Sequence, residues 1–318
     1  MTEAPLNLVA DVGGTNTRVA LARGATLMEG TIRRFRNADN ASMTAVLRSY
    51  LAEAGVPPCD GACVAVAGPV KDGTATLTNL DWTIDDASLA GATGAPRTAI
   101  INDLQAQGFA LGHIADEKLR RILPGQPAAP DATRLVIGVG TGFNAAPVHE
   151  TPWGRHIAAS ECGHESLPVR TDTDLALARY VERDHGFPGI EDALSGRGLE
   201  RVYAFTAETA GKASGLEAAA IMAGAQAGDA LARTALAHVV RLLGTVAGDL
   251  ALVHLPFGGI FLCGGVARAL TPWLDPMGFA AAFADKGRFS DYLRQFPVHV
   301  IEDDYAALTG CARRLSVG

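Results

Sequence analysis

Residues 7–22 hold two apolar runs joined by a short polar turn: Val9-Ala-Asp-Val-Gly-Gly-Thr-Asn-Thr-Arg18, then Val19-Ala-Leu-Ala22. Runs this close in sequence pair as an antiparallel hairpin. The turn itself admits two readings. It is a glycine-rich hairpin turn, or it is a phosphate cradle in which glycine brings backbone N–H groups close to an anion and Thr15 and Asn16 add donors. Asp11 cannot hold phosphate directly, because like charges repel; it fits a cradle only with a divalent cation such as Mg²⁺ between them. The same pattern returns later. A strand over 134–139 runs into Gly140-Thr141-Gly142 and a further strand over 145–149, the trace that a duplication would leave.

At 318 residues the chain is about twice the usual domain size, which predicts two domains sharing a cleft. Hydrophobic residues make up 48% and charged residues 19%, enough for packed cores. A net charge of −7, with no basic run to offset it, argues against nucleic acid or an anionic membrane as partner and favours small ligands. No basic stretch followed by an apolar one marks a signal peptide, so a cytoplasmic protein is expected. The most apolar segment, 239–266, is interrupted by Arg241, Asp249 and His254 and reads as a core helix followed by a strand rather than a membrane span. The five cysteines are scattered, which is not a disulfide framework. Cys59 and Cys63 lack a second pair for zinc, and Cys63 sits in an apolar run as a small core residue.

The remaining pattern is that of an α/β chain. Strands are expected at 7–11, 18–22 and 32–35. A helix follows, capped by Asn40, with Met43, Val46, Leu47, Tyr50 and Leu51 on one face and Gly55 ending it. Strands at 62–67 and 74–77, a helix over 85–90 stopped by Gly91, and a strand over 97–102 complete a mixed sheet with helices on it. Residues 123–133 read as a connection. Beyond Thr171 the chain turns helical; Leu236, Val239, Val240, Leu243, Val246, Ala247 and Leu250 keep helical spacing, and a strand over 259–263 ends in Gly264-Gly265.

Three places carry candidate chemistry. Asn102-Asp103 stands at the carboxyl end of a strand, where ligands sit in open α/β sheets. Asp103 is either a helix N-cap or a carboxylate that orients a hydroxyl and accepts its proton, and the two roles are compatible. Ser160-Glu-Cys-Gly-His-Glu165 crowds two carboxylates and an imidazole around a glycine, which suits polyol recognition better than metal, although a solvated loop is also consistent with it. Glu191, by itself, reads as a helix N-terminal acid.

Taken in order, Ala10-Asp-Val-Gly-Gly-Thr-Asn16, Ile101-Asn-Asp103, Gly138-Val-Gly-Thr-Gly142, Glu161-Cys-Gly-His164, residues 191–198, Gly258-Gly-Ile-Phe-Leu-Cys-Gly-Gly265 and Phe283-Ala-Asp-Lys-Gly-Arg-Phe289 resemble the bacterial glucokinase family, ATP-dependent hexose kinases of the actin-like superfamily. The resemblance spans nearly the whole chain. It implies two actin-like, ribonuclease H-like domains with a cleft between them: a small α/β domain over 1–112, completed by a C-terminal helix within 303–318, and a larger α+β domain over 113–302, the whole forming a homodimer. It implies a first phosphate loop of Ala10, Asp11, Val12, Gly13, Gly14, Thr15 and Asn16, with Asp11 near Mg²⁺. Gly140, Thr141 and Gly142 match the second phosphate loop, and Gly264 and Gly265 the adenosine-side turn. Asn102 and Asp103 match the sugar-binding pair, Asp103 as general base toward the 6-hydroxyl, while Glu161, His164 and Glu191 match residues that hold other sugar hydroxyls. The implied reaction converts glucose and ATP to glucose 6-phosphate, with sugar binding expected to close the domains.

At three places the chain departs from the family pattern. Phe143-Asn144 stands where Leu-Gly is usual, Cys162 where Gly is usual, and Arg197 where Pro is common. Alternatives are a kinase for another hexose or an N-acetylated sugar, a sugar-responsive regulator with the same fold, or an ATPase indifferent to sugars. The N-acetylated-sugar kinases carry a Cys-rich zinc motif and the regulators an N-terminal DNA-binding helix pair, and neither is expected here.

Overall fold

A computed structural model describes residues 3–77 and 80–316. The chain divides into two compact units, Met1–Asp116 with Pro152–Ile157 and Asp303–Gly318, and Glu117–Thr151 with Ala158–Glu302.

In the first unit β1 (Leu6–Val12) and β2 (Asn16–Arg23) form the antiparallel hairpin, extended by β3 (Thr26–Leu27) and β4 (Arg33–Arg36). Helix α1 (Met43–Ala54) leads to β5 (Gly61–Val66). A small sheet of β6 (Val70–Lys71), β7 (Thr74–Thr76) and β8 (Thr83–Asp85), then α2 (Asp86–Thr93), precede β9 (Arg97–Asn102) and α3 (Asp103–Ala110). The main sheet runs β3-β2-β1-β5-β9, with β1, β5 and β9 parallel. Alternation sorts its faces: Leu8, Ala10 and Val12 join Val64, Val66, Met43, Leu47 and Tyr50 in the core under α1, while Asp11 and Cys63 face the other way.

The second unit repeats the plan. After β10 (Leu119–Leu123), β11 (Arg134–Val139) and β12 (Phe143–Thr151) form the second hairpin. The strand β13 (Gly154–Ile157) belongs to the first unit. Helices α4 (Asp172–His185), α5 (Gly196–Thr209), α6 (Ala218–Ala227) and α7 (Ala230–His254) lead to β14 (Ile260–Cys263). Then come α8 (Gly265–Leu274), α9 (Phe279–Ala284), α10 (Ser290–Leu293) and β15 (Val298–Ile301). Here the order is β12-β11-β14-β15-β10, with β11, β14 and β15 parallel. An antiparallel hairpin followed by two parallel strands therefore occurs in both units, as the recurring strand, glycine turn and strand predict. Helix α7 is long and apolar enough to cross a membrane by composition, but Leu236, Val239, Leu243 and Ala247 are fully buried in this unit's core.

The C-terminal helix α11 (Ala306–Ser316) packs on α3 and on the Asp11 face of β1 and β5 within the first unit. Gly310 makes this possible, since a Cβ there would lie 1.7 Å from the Ala106 carbonyl oxygen. Arg155 Nη1 donates to the Gly108 and Leu111 carbonyls at 2.9 and 2.7 Å, satisfying the open C-terminal end of α3.

Several expected ends move. Ser42, not Asn40, caps α1, its hydroxyl accepting the Ala45 N–H, because Asn40 donates its amide to the Arg36 carbonyl in the preceding turn. Helix α2 continues through Gly91 to Gly94, which takes the left-handed φ of 69° that ends it. Glu191 is not a helix N-terminal acid: α5 starts at Gly196 behind the Ser195 cap.

Candidate active site

In the first unit every candidate residue lies at the carboxyl ends of the parallel strands, where Val12, Val66 and Asn102 stand in register. The Gly13–Asn16 turn closes with the Gly13 N–H donating to the Asn16 carbonyl at 3.0 Å. A residue outside every motif holds it. Asn37, 2% exposed, donates its side-chain amide to the Gly13 carbonyl at 2.8 Å and its backbone N–H to the Thr15 carbonyl at 2.9 Å, and accepts the Thr17 hydroxyl at 2.8 Å. With those carbonyls tied back, Gly14 and Thr15 stay exposed at the tip of the turn, which is what an anion cradle built on backbone N–H groups needs. The only sequence signal is an asparagine after the β4 run, which pattern alone does not separate from a turn residue.

Asp11 sits in this face with Oδ2 3.2 Å from Arg18 Nη1. Burial raises its pKa, against the opposing Arg18 charge. Asp103 is the first helical residue of α3, whose N-cap is Asn102. Burial, followed by the negative charge of Asp11, pushes the Asp103 carboxyl up to about 6. The Leu104 N–H donates to both Asn102 Oδ1 and Asp103 Oδ1 at 2.9 Å, fixing the direction of the carboxylate. Asn102 Nδ2 donates to the Gly68 carbonyl at 3.0 Å, which leaves the second N–H of that amide for a ligand oxygen.

In the second unit Gly140, Thr141 and Gly142 form the β11–β12 turn, and Gly264-Gly265 follows the parallel neighbour β14, so both glycine turns share one end of the sheet. Gly264 has φ 98°, and a Cβ there would lie 2.4 Å from the Val139 carbonyl oxygen. The β11–β12 turn is also bonded to Glu191, whose Oε2 accepts the Phe143 N–H at 2.8 Å while its own N–H donates to the Gly163 carbonyl at 2.8 Å. Glu161 precedes the short helical turn Cys162–His164 and His164 ends it, both exposed, with Cys162 and Gly163 buried. The structure thus brings Glu161, His164 and Glu191 together around the second glycine turn, and Asp11, Asn102 and Asp103 around the first. Among the departures, Phe143 is a buried core residue, and Arg197 is exposed on the first turn of α5 with nothing in the structure to explain it.

The glycine turn of each unit suits a phosphate group, and the carboxylates, amide and imidazole beside them suit a polyhydroxyl compound. A family model described as Glucokinase matches residues 8–317. A glucokinase of Caulobacter sp. strain K31 is 36% identical over 312 residues, covering 96% of this chain and 94% of its own length. The crystal structure of a glucokinase from an Antarctic psychrotroph superimposes with a TM-score of 0.87 at 32% identity, covering 99% of both chains. A ROK family glucokinase from Streptomyces griseus, in complex with glucose and AMPPNP, shares the fold, with a TM-score of 0.66 at 19% identity over 98% of this chain and all of that one.

Proposed function

The chain belongs to the glucokinase family and is an ATP-dependent glucose kinase of the actin-like fold, and we propose how its residues divide the work. Residues 10–16 and 140–142 bind the ATP phosphates, and Gly264-Gly265 takes the adenosine side. Glu161, His164 and Glu191 hold sugar hydroxyls, and Asn102 donates its remaining amide proton to another. Asp103 is the general base toward the 6-hydroxyl. The observation that carries this assignment is the place of Asp103: helix-fixed, in an environment that raises its proton affinity toward neutrality.

The residues also fit Mg²⁺. Among the described residues no three metal-ligating side chains gather, but Mg²⁺ with a nucleotide needs only one or two carboxylates beside the phosphates. The negative charge that Asp11 sets beside Asp103 marks a place where added positive charge is favoured, next to the Arg18 guanidinium already 3.2 Å from Asp11 Oδ2. Asp11 would hold the ion, which when bound neutralises phosphate charge.

A sugar hydroxyl is far less acidic than a carboxylic acid. Asp103 therefore takes its proton late, once the bond from the γ-phosphorus to ADP is largely broken. Until then its task is orientation: accepting the hydroxyl hydrogen aims the oxygen lone pair at phosphorus. The phosphate turns supply N–H groups to the charge that spreads over the transferring group.

The base works only when deprotonated, so kcat/KM for glucose should be flat near neutrality and fall about tenfold per pH unit below a pKa of about 6. An acid limb that persists unchanged in Asp103→Asn would assign it to another group and remove Asp103 from the role. Asn37→Ala should raise the KM for ATP about tenfold while leaving the KM for glucose within about twofold, because it releases the carbonyls of the phosphate turn. Equal changes in both constants would make Asn37 a general fold residue.

A further inference from the structure

Two of the three departures from the family pattern touch each other. Asn144, half-buried at the start of β12, donates through Nδ2 to the Ser160 carbonyl and, at 3.3 Å, to Glu161 Oε2. Its Oδ1 accepts the Ser160 hydroxyl at 2.9 Å, the Cys162 backbone N–H at 3.2 Å and the Cys162 thiol at 3.5 Å, besides the neighbouring Ala145 N–H at 2.8 Å. One amide therefore grips three consecutive residues, the middle of which is Glu161.

An exposed glutamate has several rotatable bonds to order before it can accept a hydroxyl. Glu161 makes no side-chain cap to the turn it precedes, so among the described residues the Asn144 amide is what holds its carboxylate. A carboxylate offers about four lone-pair sites, so one N–H donor leaves ample capacity facing outward. Asn144 also bridges β12, which begins at the second phosphate turn, to the 160–162 segment. Glycine at position 144 would have none of these contacts.

We propose that Asn144 is a positioning residue that aims Glu161 at the sugar and so sets how strictly the enzyme reads the hydroxyl that Glu161 accepts. This rests on the reading of Glu161 as a sugar ligand, and the experiment separates the two claims. Steady-state constants are measured for glucose, a set of monodeoxyglucoses and ATP with the wild type, Glu161→Gln, Asn144→Gly, Asn144→Asp and the double variant Asn144→Gly/Glu161→Gln. Glu161→Gln should raise the glucose KM about tenfold and erase discrimination against one particular deoxyglucose. Asn144→Gly should weaken the same discrimination and raise the glucose KM about fivefold, with kcat and the KM for ATP within about twofold. Asn144→Asp keeps the acceptor for Ser160 and Cys162 but sets a like charge beside Glu161, so it should reproduce the glucose effect. The double variant should be no worse than Glu161→Gln alone. Additive losses, or equal losses in the glucose and ATP constants, overturn the role of Asn144 while leaving Glu161 in place. A Glu161→Gln enzyme with wild-type glucose constants overturns the sugar reading of Glu161 and the proposal with it.

Discussion

Asp103→Asn lowers kcat about 10³-fold while the KM for glucose moves by less than about threefold. Asparagine has the same shape, so its Oδ1 keeps the Leu104 N–H bond, and the α3 cap is made by Asn102 and is untouched. On the proposed mechanism, what is lost is the acceptor for the hydroxyl proton. The folded state should not suffer, because the substitution removes a carboxylate that burial and Asp11 both disfavour in its charged form. A melting temperature equal to or above that of the wild type is therefore expected alongside the loss of turnover. A variant that keeps most of its kcat would leave proton transfer to solvent or another group and end the assignment.

Gly163→Ala should cost about 10²-fold in kcat/KM for glucose, the scale of an ångström-sized misplacement in a site. A Cβ at this position would lie 2.0 Å from the Phe143 carbonyl oxygen and 3.0 Å from its carbonyl carbon. Both are backbone atoms of β12, so no side chain can swing away. The Glu161–His164 turn must move off the β11–β12 turn instead, and the Gly163 carbonyl that accepts the Glu191 N–H moves with it. Overpacking of this kind destabilises by about 1–3 kcal/mol, which a thermal melt will register beside the kinetics. Wild-type constants from this variant would mean that the two turns are not locked together.

Much of the site's frame is legible in the amino-acid sequence. Alternating apolar runs around Gly13-Gly14 and Gly140-Thr141-Gly142 announce hairpins because both glycine and β-branched residues act locally, and Asn102-Asp103 marks a strand end by the same logic. Helix ends are less legible, since Asn40 and Ser42, or Gly91 and Gly94, carry similar local preferences and tertiary hydrogen bonds choose between them. The site's supporting residues escape pattern reading for a deeper reason. Asn37 acts on a turn more than twenty positions earlier, and Asn144 on residues sixteen to eighteen positions later, and neither spacing belongs to a helix or strand period. Likewise the burial that raises Asp103, and the Asp11 charge beside it, arise only when β1 and β9 flank β5 in one sheet.

If Asp103 and the two glycine turns direct the γ-phosphoryl group of ATP to the 6-oxygen of glucose, the position of the new ester bond reports it. Phosphorus NMR of the reaction with glucose and Mg-ATP is the most direct measurement of that position. The expected products are ADP and a single sugar phosphomonoester in equal amounts, the ester phosphorus coupled to the two C6 protons, with no ADP above background when sugar is left out. An ester coupled to the anomeric proton, or ADP accompanied by inorganic phosphate at the same rate with and without glucose, would contradict it.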